Sequence, residues 1–199
     1  RTFADYKGTR PDMPDALRAQ MPHFARVAEA FGIPFLCIDD FEADDVMGTL
    51  ARRHEGELDV VLVTSDKDLM QLVSDHVSLF DTMKDRRISL PEVEEKFGCP
   101  PELVPDALGI WGDSSDNIPG VPGIGQKTAL SLIQTFRNIQ GVYDKLDTIT
   151  KKKQRENLEN FKDQALLSRK LVTIDTGAPL SFDPEKFKVT APESKKLAQ

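Results

Sequence analysis

The sequence predicts an α/β fold, in which a parallel sheet with helical crossovers is followed by a mainly helical region. Two short apolar runs, residues 33–38 and 58–63, have the length of strands and alternate with segments of helical spacing. The run 58–63, with the sequence LDVVLV, is apolar enough for a strand buried on both faces, as in parallel sheets. After Pro91 the extended-chain pattern stops and helical spacing dominates.

In the first half, a helix is expected over residues 14–31, where apolar side chains such as Leu17 and Phe24 recur at helical spacing. Pro22 predicts a kink in this helix, because proline cannot donate a backbone hydrogen bond, and Gly32 is a suitable C-terminal cap. The other elements expected in this half are a helix from Ala43 to near Gly56, a short helix after Ser65, and extended segments at 77–80 and 87–90.

In the second half, the expected elements are mostly helices. They cover residues 91–97, ended by Gly98, then 101–111, 127–136 and several amphipathic pieces within 138–170. One extended segment is expected at 171–174. The tail from Pro184 is rich in Lys, Glu and Pro, which is typical of a linker or of the start of another helix.

Composition limits the class of protein. At 199 residues with 39% hydrophobic content, the chain is long enough to bury the core of one domain or two small ones. No apolar run reaches the length of a membrane span, so we expect a soluble protein without a membrane partner. Cys37 and Cys99 lack metal-ligand spacing, which favours free thiols in a reducing compartment and hence the cytoplasm.

Charge is unevenly distributed along the sequence. The formal net charge of −7 argues against a polyanionic partner, because phosphate binding normally needs a basic surface. The distribution argues the other way: residues 39–68 contain ten acids and three bases, whereas residues 145–170 contain eight bases and four acids. Separate acidic and basic surfaces are expected when carboxylates collect metal ions and another face binds phosphates.

Acidic residues follow both runs of the predicted parallel sheet. Glu42, Asp44 and Asp45 come after the first run, and Asp66 and Asp68 come after the second. The carboxyl ends of parallel strands share one crevice, so we expect the two clusters to meet there. Their mutual repulsion requires a counter-cation, and oxygen ligands without His or Cys favour Mg²⁺ or Mn²⁺ over zinc. Helix capping is the alternative for either cluster taken alone.

A third acidic group and a glycine-rich turn lie farther along the chain. Asp113 and Asp116 stand in the loop GDSSDN, where a pair of turn-forming aspartates is an equally good explanation. The stretch GVPGIG at residues 120–125 precedes a helix and would point backbone N–H groups outward, a geometry that receives phosphate without reading bases. It resembles the helix-hairpin-helix, which binds the DNA backbone. A plain helical hairpin is the alternative.

Three sequence blocks together are similar to the signature blocks of bacterial 5′-nucleases, the 5′-3′ exonuclease and flap endonuclease family to which the nuclease domain of DNA polymerase I belongs. They are EADDV at residues 42–46, TSDKDL at 64–69 and GDSSDNIPGVPGIG at 112–125. The resemblance covers the chain from Tyr6 to about Asp175. It implies three units: a partial PIN-like (resolvase-like) parallel-sheet nuclease core with an arch segment over 1–90, a helical DNA-binding region with a helix-hairpin-helix over 91–180, and a tail or linker toward a polymerase module over 181–199.

What the resemblance implies is a structure-specific nuclease that hydrolyses phosphodiester bonds near the 5′ ends of branched or nicked DNA, in replication and repair. Two metal ions, Mg²⁺ or Mn²⁺, would activate water and stabilise the leaving oxygen. Position by position, Glu42 and Asp44 match ligands of the first ion, Asp66, Asp68 and Asp113 match ligands of the second, and Asp45 and Asp116 match supporting acids.

The start of the chain is similar to the basic foot of the family's helical arch. Lys7 and Arg10 would contact the scissile phosphate as catalytic groups, and Tyr6 would stack on a base. A solvated basic surface is the alternative. The implied partners are DNA flaps, nicks and duplex ends, together with a fused polymerase domain, and a monomer is expected. The implied contacts to the duplex, where the family also binds K⁺ through backbone carbonyls, are Gly120, Val121, Gly123, Ile124, Gly125 and Lys127.

The sequence departs from the family at its start. The family begins with a strand that carries a metal-ligating aspartate, and a second aspartate follows, but neither lies before Arg1. Half of the first metal site would then be absent, so we expect a truncated chain, and a non-catalytic DNA-binding fragment is the alternative function. A small-molecule phosphatase is a third possibility because two aspartates follow a strand, but Leu69 and Met70 replace the Gly-Thr of that motif.

Overall fold

The computed structural model describes residues 6–8, 11–181, 183–193 and 196. In this part of the chain, no helix is long and apolar enough to cross a lipid bilayer. The helices are α1 (Asp15–Gln20), α2 (Phe24–Ala30), α3 (Ala43–His54), α4 (Leu90–Phe97), α5 (Val104–Trp111), α6 (Gln126–Phe136), α7 (Ile139–Asp144), α8 (Lys152–Asn160) and α9 (Lys162–Val172). The strands are β1 (Val60–Val63), β2 (Val77–Asp81) and β3 (Arg86–Ile88), and 3₁₀ turns lie at Met21–His23, Asp68–Leu72, Pro101–Leu103 and Leu146–Thr148.

The sheet has three strands in the order β1-β2-β3 among the described residues. Strands β1 and β2 are parallel, with Val60 opposite Val77, whereas β2 and β3 are antiparallel, with Leu79 opposite Ile88. The 3₁₀ turn Asp68–Leu72 belongs to the crossover between the parallel strands and is buried along most of its length. The expected α/β core with a parallel pair is therefore present, and its central strand β2 lies in the core.

The expected strand over residues 33–38 is wrong. The segment alternates between half-buried and exposed residues, as a strand does. However, no ladder joins it to another segment within the described ranges. A strand needs a neighbour that exchanges backbone hydrogen bonds with it, and alternating hydrophobicity alone does not supply one.

The expectation that residues 58–63 are buried on both faces is also wrong. Strand β1 begins only at Val60, and its side chains Val61 and Val63 are 45% and 60% exposed. Leu62 points the other way into the core that also contains Ala51 of α3. An apolar run is compatible with a strand that is buried on both faces, but it does not show that another element packs on each face.

The expected helix over residues 14–31 forms in two parts. Helices α1 and α2 are separated by a 3₁₀ turn that contains Pro22, which confirms the kink. Gly32 follows α2 with φ +67, the left-handed conformation that glycine adopts at helix ends. Along these helices the apolar residues Leu17 and Phe24 are each 41% exposed, so the stripe they form faces solvent.

Helix α5 is the centre of the helical half, and it packs most extensively against α9 and then α6. Asp106 of α5 forms an ion pair with Arg169 of α9. The expected extended segment at 171–174 is wrong in its first half, because α9 continues through Val172. Three of these four residues are β-branched, which favours a strand. However, Val172 is buried in the core that α5 and α9 share, and this packing stabilises the helix.

A segment after α9 connects the helical half to α3. The backbone N–H of Asp175 donates to Asp45 Oδ1 at 2.9 Å, and that of Ala178 donates to Thr49 Oγ1 at 3.1 Å. The Arg53 guanidinium donates to the carbonyl oxygens of Ala178 and Leu180. Further on, the tail lies against the end of α2, where the N–H groups of residues 190 and 193 donate to the carbonyls of residues 32 and 30. Residues 174–180, called the strap below, thus fix the position of α3.

Candidate metal centre and nucleic-acid interface

Three segments carry acids to the carboxyl end of β1. Asp66 and Asp68 follow this strand, Asp44 lies in the first turn of α3, and Asp113 and Asp116 lie in the loop after α5. Asp66, Asp113 and Asp116 line one cavity of about 300 Å³, called the acid pocket below. Burial, and then the charge of Asp66, raise the pKa of Asp44, so the acids of α3 are electrostatic neighbours of those after β1. The structure therefore brings the three predicted groups together.

Lys67 lies between two acids, Asp113 of the acid pocket and its sequence neighbour Asp68. Its Nζ donates to Asp113 Oδ2 at 2.5 Å and lies 3.5 Å from Asp68 Oδ1. The Asp68 Oδ1 atom is buried and has no hydrogen-bond partner among the described residues. Burial raises the pKa of Asp68 to about 7; the Lys67 charge opposes this rise, whereas the surrounding carboxylates add to it. For Lys67 burial lowers the pKa, but the hydrogen bond to Asp113 and the nearby acids more than compensate and raise it.

Lys7 and Tyr6 make the corresponding contacts on the α3 side. The Lys7 ammonium group is 2.5 Å from Glu42 Oε2 and 3.8 Å from Asp116 Oδ2, and its backbone N–H donates to the Asp116 carbonyl. The Tyr6 hydroxyl lies 3.4 Å from the same two carboxylates, and the Lys7 ammonium lies over the Tyr6 ring. Burial raises the pKa of Tyr6 to about 12. The third residue predicted in this segment, Arg10, lies outside the described residues.

Asp45 has a role different from the other acids. Its Oδ2 accepts the Glu42 backbone N–H at 3.1 Å in a capping box at the start of α3. Its Oδ1 accepts the Asp175 N–H of the strap at 2.9 Å. Both oxygens are engaged by backbone groups, so the capping explanation applies to Asp45, which positions α3.

Asp66 and Asp113 combine the two explanations that the sequence left open. Asp66 Oδ1 accepts the Asp68 N–H at 2.9 Å, and Asp113 Oδ1 accepts the Ser115 N–H at 3.0 Å, as turn-forming aspartates do. Each of these bonds uses only one carboxylate oxygen. The local turn therefore orients the carboxylate, and its second oxygen can face a cation, which for Asp113 is the Lys67 ammonium.

The donor set fits a hard divalent cation. The acid pocket offers carboxylate and hydroxyl oxygens without a His or Cys side chain, and the buried Asp68 Oδ1 lacks a donor. As the side chains stand, no group of three or more His, Cys, Asp or Glu residues is arranged around a metal position in the described ranges. The acids are instead held in pairs by the ammonium groups of Lys7 and Lys67.

Two lysines of the pocket, Lys67 and Lys96, were not identified from the sequence. The alternation Asp66-Lys67-Asp68 could have indicated an internal ion pair, but not its reach to Asp113. Lys96 comes from the last turn of α4, lines the acid pocket and makes no salt bridge with a described residue. Burial, and then the charges of other lysines, lower its pKa. Only tertiary packing places Lys96 there, so no local sequence pattern could have found it.

The glycine-rich turn joins α5 to α6, and its residues divide into two groups. Gly120, Val121 and Ile124 are buried, and they hold the turn against the helical core. Gly123, Gly125 and Lys127 are exposed at the start of α6. Of the residues in this turn that were predicted to contact the DNA backbone, Gly123, Gly125 and Lys127 therefore face solvent.

The backbone of the glycine-rich turn packs so closely that a side chain at Gly120 would not fit. Gly120 has φ +58, and a Cβ atom there would lie 2.4 Å from the backbone nitrogen of Gly112. The N–H of Gly120 donates to Ser168 Oγ, and its carbonyl accepts from Gln164, so α9 holds both sides of the peptide. Asn157 of α8 donates to the carbonyl of the turn residue 122 at 2.8 Å. The turn is thus locked by two helices that follow it in the chain.

A polar cleft of about 410 Å³ lies beside the turn. Lys127 and residues 128–136 of α6 form one wall, and residues 148–151 with Gln154 form the other. No acidic side chain lines the cleft, and Lys127 and Lys151 are both exposed. Lys151, the first of three consecutive lysines, therefore lies across the cleft from the start of α6.

The architecture is a resolvase-like α/β domain followed by a helical domain with a SAM fold. Two family models describe these parts: the 5′-3′ exonuclease N-terminal resolvase-like domain matches residues 1–98, and the 5′-3′ exonuclease C-terminal SAM fold matches residues 99–195. The chain belongs to the 5′-3′ exonuclease family. The family and the fold class expected from the sequence are confirmed.

Similar proteins include DNA polymerase I of Bacillus subtilis, which is 44% identical over 184 residues, or 90% of this chain. The 5′-3′ exonuclease of Buchnera aphidicola is 39% identical over 197 residues, or 96% of this chain. The chain spans 21% of that polymerase and 65% of that exonuclease.

Solved structures with the same fold include the bacteriophage T5 D15 flap endonuclease. Its complex with DNA and metal ions has a TM-score of 0.75 and 27% identity, and the match covers 88% of this chain and 69% of that chain. The catalytic core of Rad2 in complex with DNA has a TM-score of 0.63 and 16% identity, over 94% of this chain and 64% of that chain. The Rad2 likeness supports the fold alone.

Proposed function

We propose that the chain carries a structure-specific 5′-nuclease activity, which hydrolyses phosphodiester bonds near the 5′ ends of branched or nicked DNA. The observation that carries this proposal is the meeting of three acidic segments at the carboxyl end of β1. Asp66, Asp113 and Asp116 line one pocket, and Asp44 of α3 is its electrostatic neighbour. Family membership supports the same reaction, and the similar T5 flap endonuclease was crystallised with DNA and metal ions.

In this proposal the acids hold two divalent cations, Mg²⁺ or Mn²⁺. Glu42 and Asp44 would hold the first, and Asp66, Asp68 and Asp113 the second; Asp116 would act as a supporting acid. When bound, the ions supply an activated water and stabilise the leaving oxygen. The local hydrogen bonds of Asp66 and Asp113 orient these carboxylates before an ion arrives. Asp45 acts indirectly, because its carboxylate fixes α3 and the strap.

The basic side chains around the site would bind the DNA substrate. Lys7 would contact the scissile phosphate together with Arg10, and Lys96 would provide a positive charge in the wall of the acid pocket. Tyr6 would stack on a base. The exposed part of the glycine-rich turn, with Lys127, would hold the duplex backbone and a K⁺ ion. Lys151 would add a second basic contact from across the cleft.

The experiment that tests this function is cleavage of a 5′-flap DNA by the chain in Mg²⁺. Asp66→Ala and Asp113→Ala should each lower the rate about 10³-fold, because each removes a ligand of the ion that stabilises the reacting oxygens. Asp59→Ala is the matched control, since Asp59 is exposed at the opposite end of β1. Cleavage that survives both pocket substitutions would contradict the proposal.

Two other outcomes distinguish the alternative functions. Salt-dependent binding of flap DNA without turnover in Mg²⁺ or Mn²⁺ would identify a non-catalytic DNA-binding chain. That alternative has one observation in its favour: the described acids are bridged in pairs by lysines. Hydrolysis of a phosphate monoester without action on DNA would instead identify a phosphatase.

The wider setting of this activity is also a proposal. Relatives named DNA polymerase I support a fused polymerase domain and a role in replication and repair. A cytoplasmic location, a monomeric state and the division into residues 1–90, 91–180 and 181–199 stay predictions.

A further inference from the structure

Lys67 differs from the other basic residues around the acid pocket because its ammonium group contacts two proposed ligands of the same cation, Asp68 and Asp113. Its side chain is 22% exposed, and its Nζ reaches a carboxylate 46 positions along the chain, Asp113, whose side chain is 6% exposed. The same Nζ lies 3.5 Å from Asp68 Oδ1. One ammonium group thus joins two segments that meet only in the folded protein.

Lys67 approaches carboxylate oxygens that the hydrogen bonds of the local turns do not use. Asp113 Oδ1 is already used by the Ser115 N–H, and Lys67 takes the other oxygen, Oδ2. Asp68 Oδ1 is buried without a hydrogen-bond donor, and Lys67 is its nearest cation among the ion pairs of the described residues. An ion bound between these two carboxylates would need the same two oxygens.

Charge explains why a lysine would lie there. Asp66, Asp113 and Asp116 lie close enough to Asp68 for their charges to repel its carboxylate. A nearby cation stabilises the charged form of a buried carboxylate. Lys96 lines the same pocket but makes no ion pair with a described residue, and Lys7 pairs with Glu42 and Asp116 on the other side. Lys67 is therefore the compensating charge for Asp68 and Asp113.

We propose that Lys67 is a built-in counter-ion, which holds Asp68 and Asp113 together in the free protein and competes with the divalent cation for them. This inference rests on the proposed function, because it assumes that these acids bind a divalent cation. Binding would then be an exchange of cations: Asp68 and Asp113 would hold the divalent ion in place of the Lys67 ammonium, which would move off both carboxylates. The released ammonium stays on the wall of the acid pocket, beside Lys96, where it can meet a phosphate oxygen.

The first test is the affinity for Mn²⁺ alone, measured by titration calorimetry on the whole chain. Lys67→Met should tighten the Kd on the order of tenfold, because the ion no longer has to displace a positive charge a few ångströms away. Lys67→Arg keeps the charge and should bind Mn²⁺ like the unsubstituted chain. Lys152→Met is the matched control, since Lys152 is 81% exposed and pairs only with Glu156 of its own helix among the described residues.

The second test separates a counter-ion from a merely structural lysine. In EDTA, Lys67→Met should lower the thermal midpoint of unfolding, because Asp68 and Asp113 lose the ammonium group that lies between them. Saturating Mn²⁺ should abolish that difference. A lysine that only packs or positions the turn would lower the midpoint equally with and without Mn²⁺. Lys67→Gln provides a second neutral variant if the methionine variant does not fold.

The outcomes distinguish this inference from the proposed function. If the unsubstituted chain binds Mn²⁺ and Lys67→Met binds it equally or more weakly, the counter-ion role is wrong while the metal site stands. If neither protein binds Mn²⁺, both the metal site and the competition are wrong. Tighter binding by Lys67→Met, with Lys67→Arg and Lys152→Met unchanged, supports the proposal.

Discussion

The acid pocket and the glycine-rich turn are two halves of one proposed site, but different forces build them. In the pocket, charges are drawn out of water and compensated in pairs, as Lys67 is with Asp113 and Lys7 with Glu42. In the turn, charge is almost absent from the framework, and the chain is closed by backbone contacts around Gly120 that leave no room for a side chain. Charge pairing therefore stabilises the pocket, whereas close backbone packing stabilises the turn.

This difference teaches where each kind of substitution acts. A change of charge with conserved shape should alter the pocket and leave the turn intact. A change of volume without charge should do the opposite. The following predictions test that separation, from the largest expected effect to the smallest.

A single methyl group should break the turn. Gly120→Ala places a Cβ 2.4 Å from the Gly112 nitrogen at a φ of +58, so the backbone must move. We expect a loss of about 3 kcal/mol or more in the free energy of unfolding, measured by urea denaturation. Gly56→Ala is the control, because no atom lies within 4 Å of the added Cβ. Equal stability of the two variants would show that the turn is not sterically closed.

Removing a charge from the pocket should change the dependence of stability on pH. Burial raises the pKa of Asp68 to about 7 in the folded protein, well above its value in the unfolded chain. The folded state therefore binds the proton more tightly, and the stability that this gives is lost as the pH rises through 7. Asp68→Asn should remove this loss and be more stable than the unsubstituted chain at pH 8 in EDTA, by on the order of 2 kcal/mol.

The measurement for Asp68 is urea denaturation in EDTA at several pH values between 4 and about 8, a range set by the two pKa values. Asp75→Asn is the control, because Asp75 is exposed and takes part in no ion pair of the described residues. If the dependence of stability on pH stays the same after Asp68→Asn, a group other than Asp68 is responsible for it.

A basic residue at the turn should affect DNA binding weakly and without regard to sequence. Lys127→Ala should weaken duplex binding about three- to tenfold and reduce the slope of log affinity against log salt by about one, as expected for one lost phosphate contact. Fluorescence anisotropy with duplex DNA at several salt concentrations measures both. Lys188→Ala is the control, since Lys188 pairs with Glu185 in the tail. The affinity for Mn²⁺ should not change, and a change there would contradict the separation of the two regions.

The sequence predicted the elements whose signals are local. Pro22 marked the break between α1 and α2, Gly98 marked the end of α4, and the acids after β1 and at the start of α3 indicated the pocket. In each case the residue acts on its own neighbours through a cap, a kink or a turn. Such effects are encoded within a few positions.

The features that the sequence did not predict depend on distant partners. Residues 33–38 alternate like a strand but have no described neighbour to pair with, and Val172 remains helical because the core around α5 receives it. Lys67 stands between two aspartates in the sequence, yet its ammonium group reaches Asp113. Asp45 looked like one more acid of the cluster, yet the strap engages it. Composition and spacing cannot encode which distant group will be close.

The central claim is that acids from three separate segments form one pocket that binds divalent cations. The most direct measurement is anomalous diffraction from crystals of the chain soaked in Mn²⁺, with the positions of the anomalous peaks compared with the carboxylates. We predict a peak bound by Asp113 and Asp68, with the Lys67 ammonium displaced from both. Strong peaks only at unrelated surface carboxylates, with Lys67 still bonded to Asp113, would contradict the account.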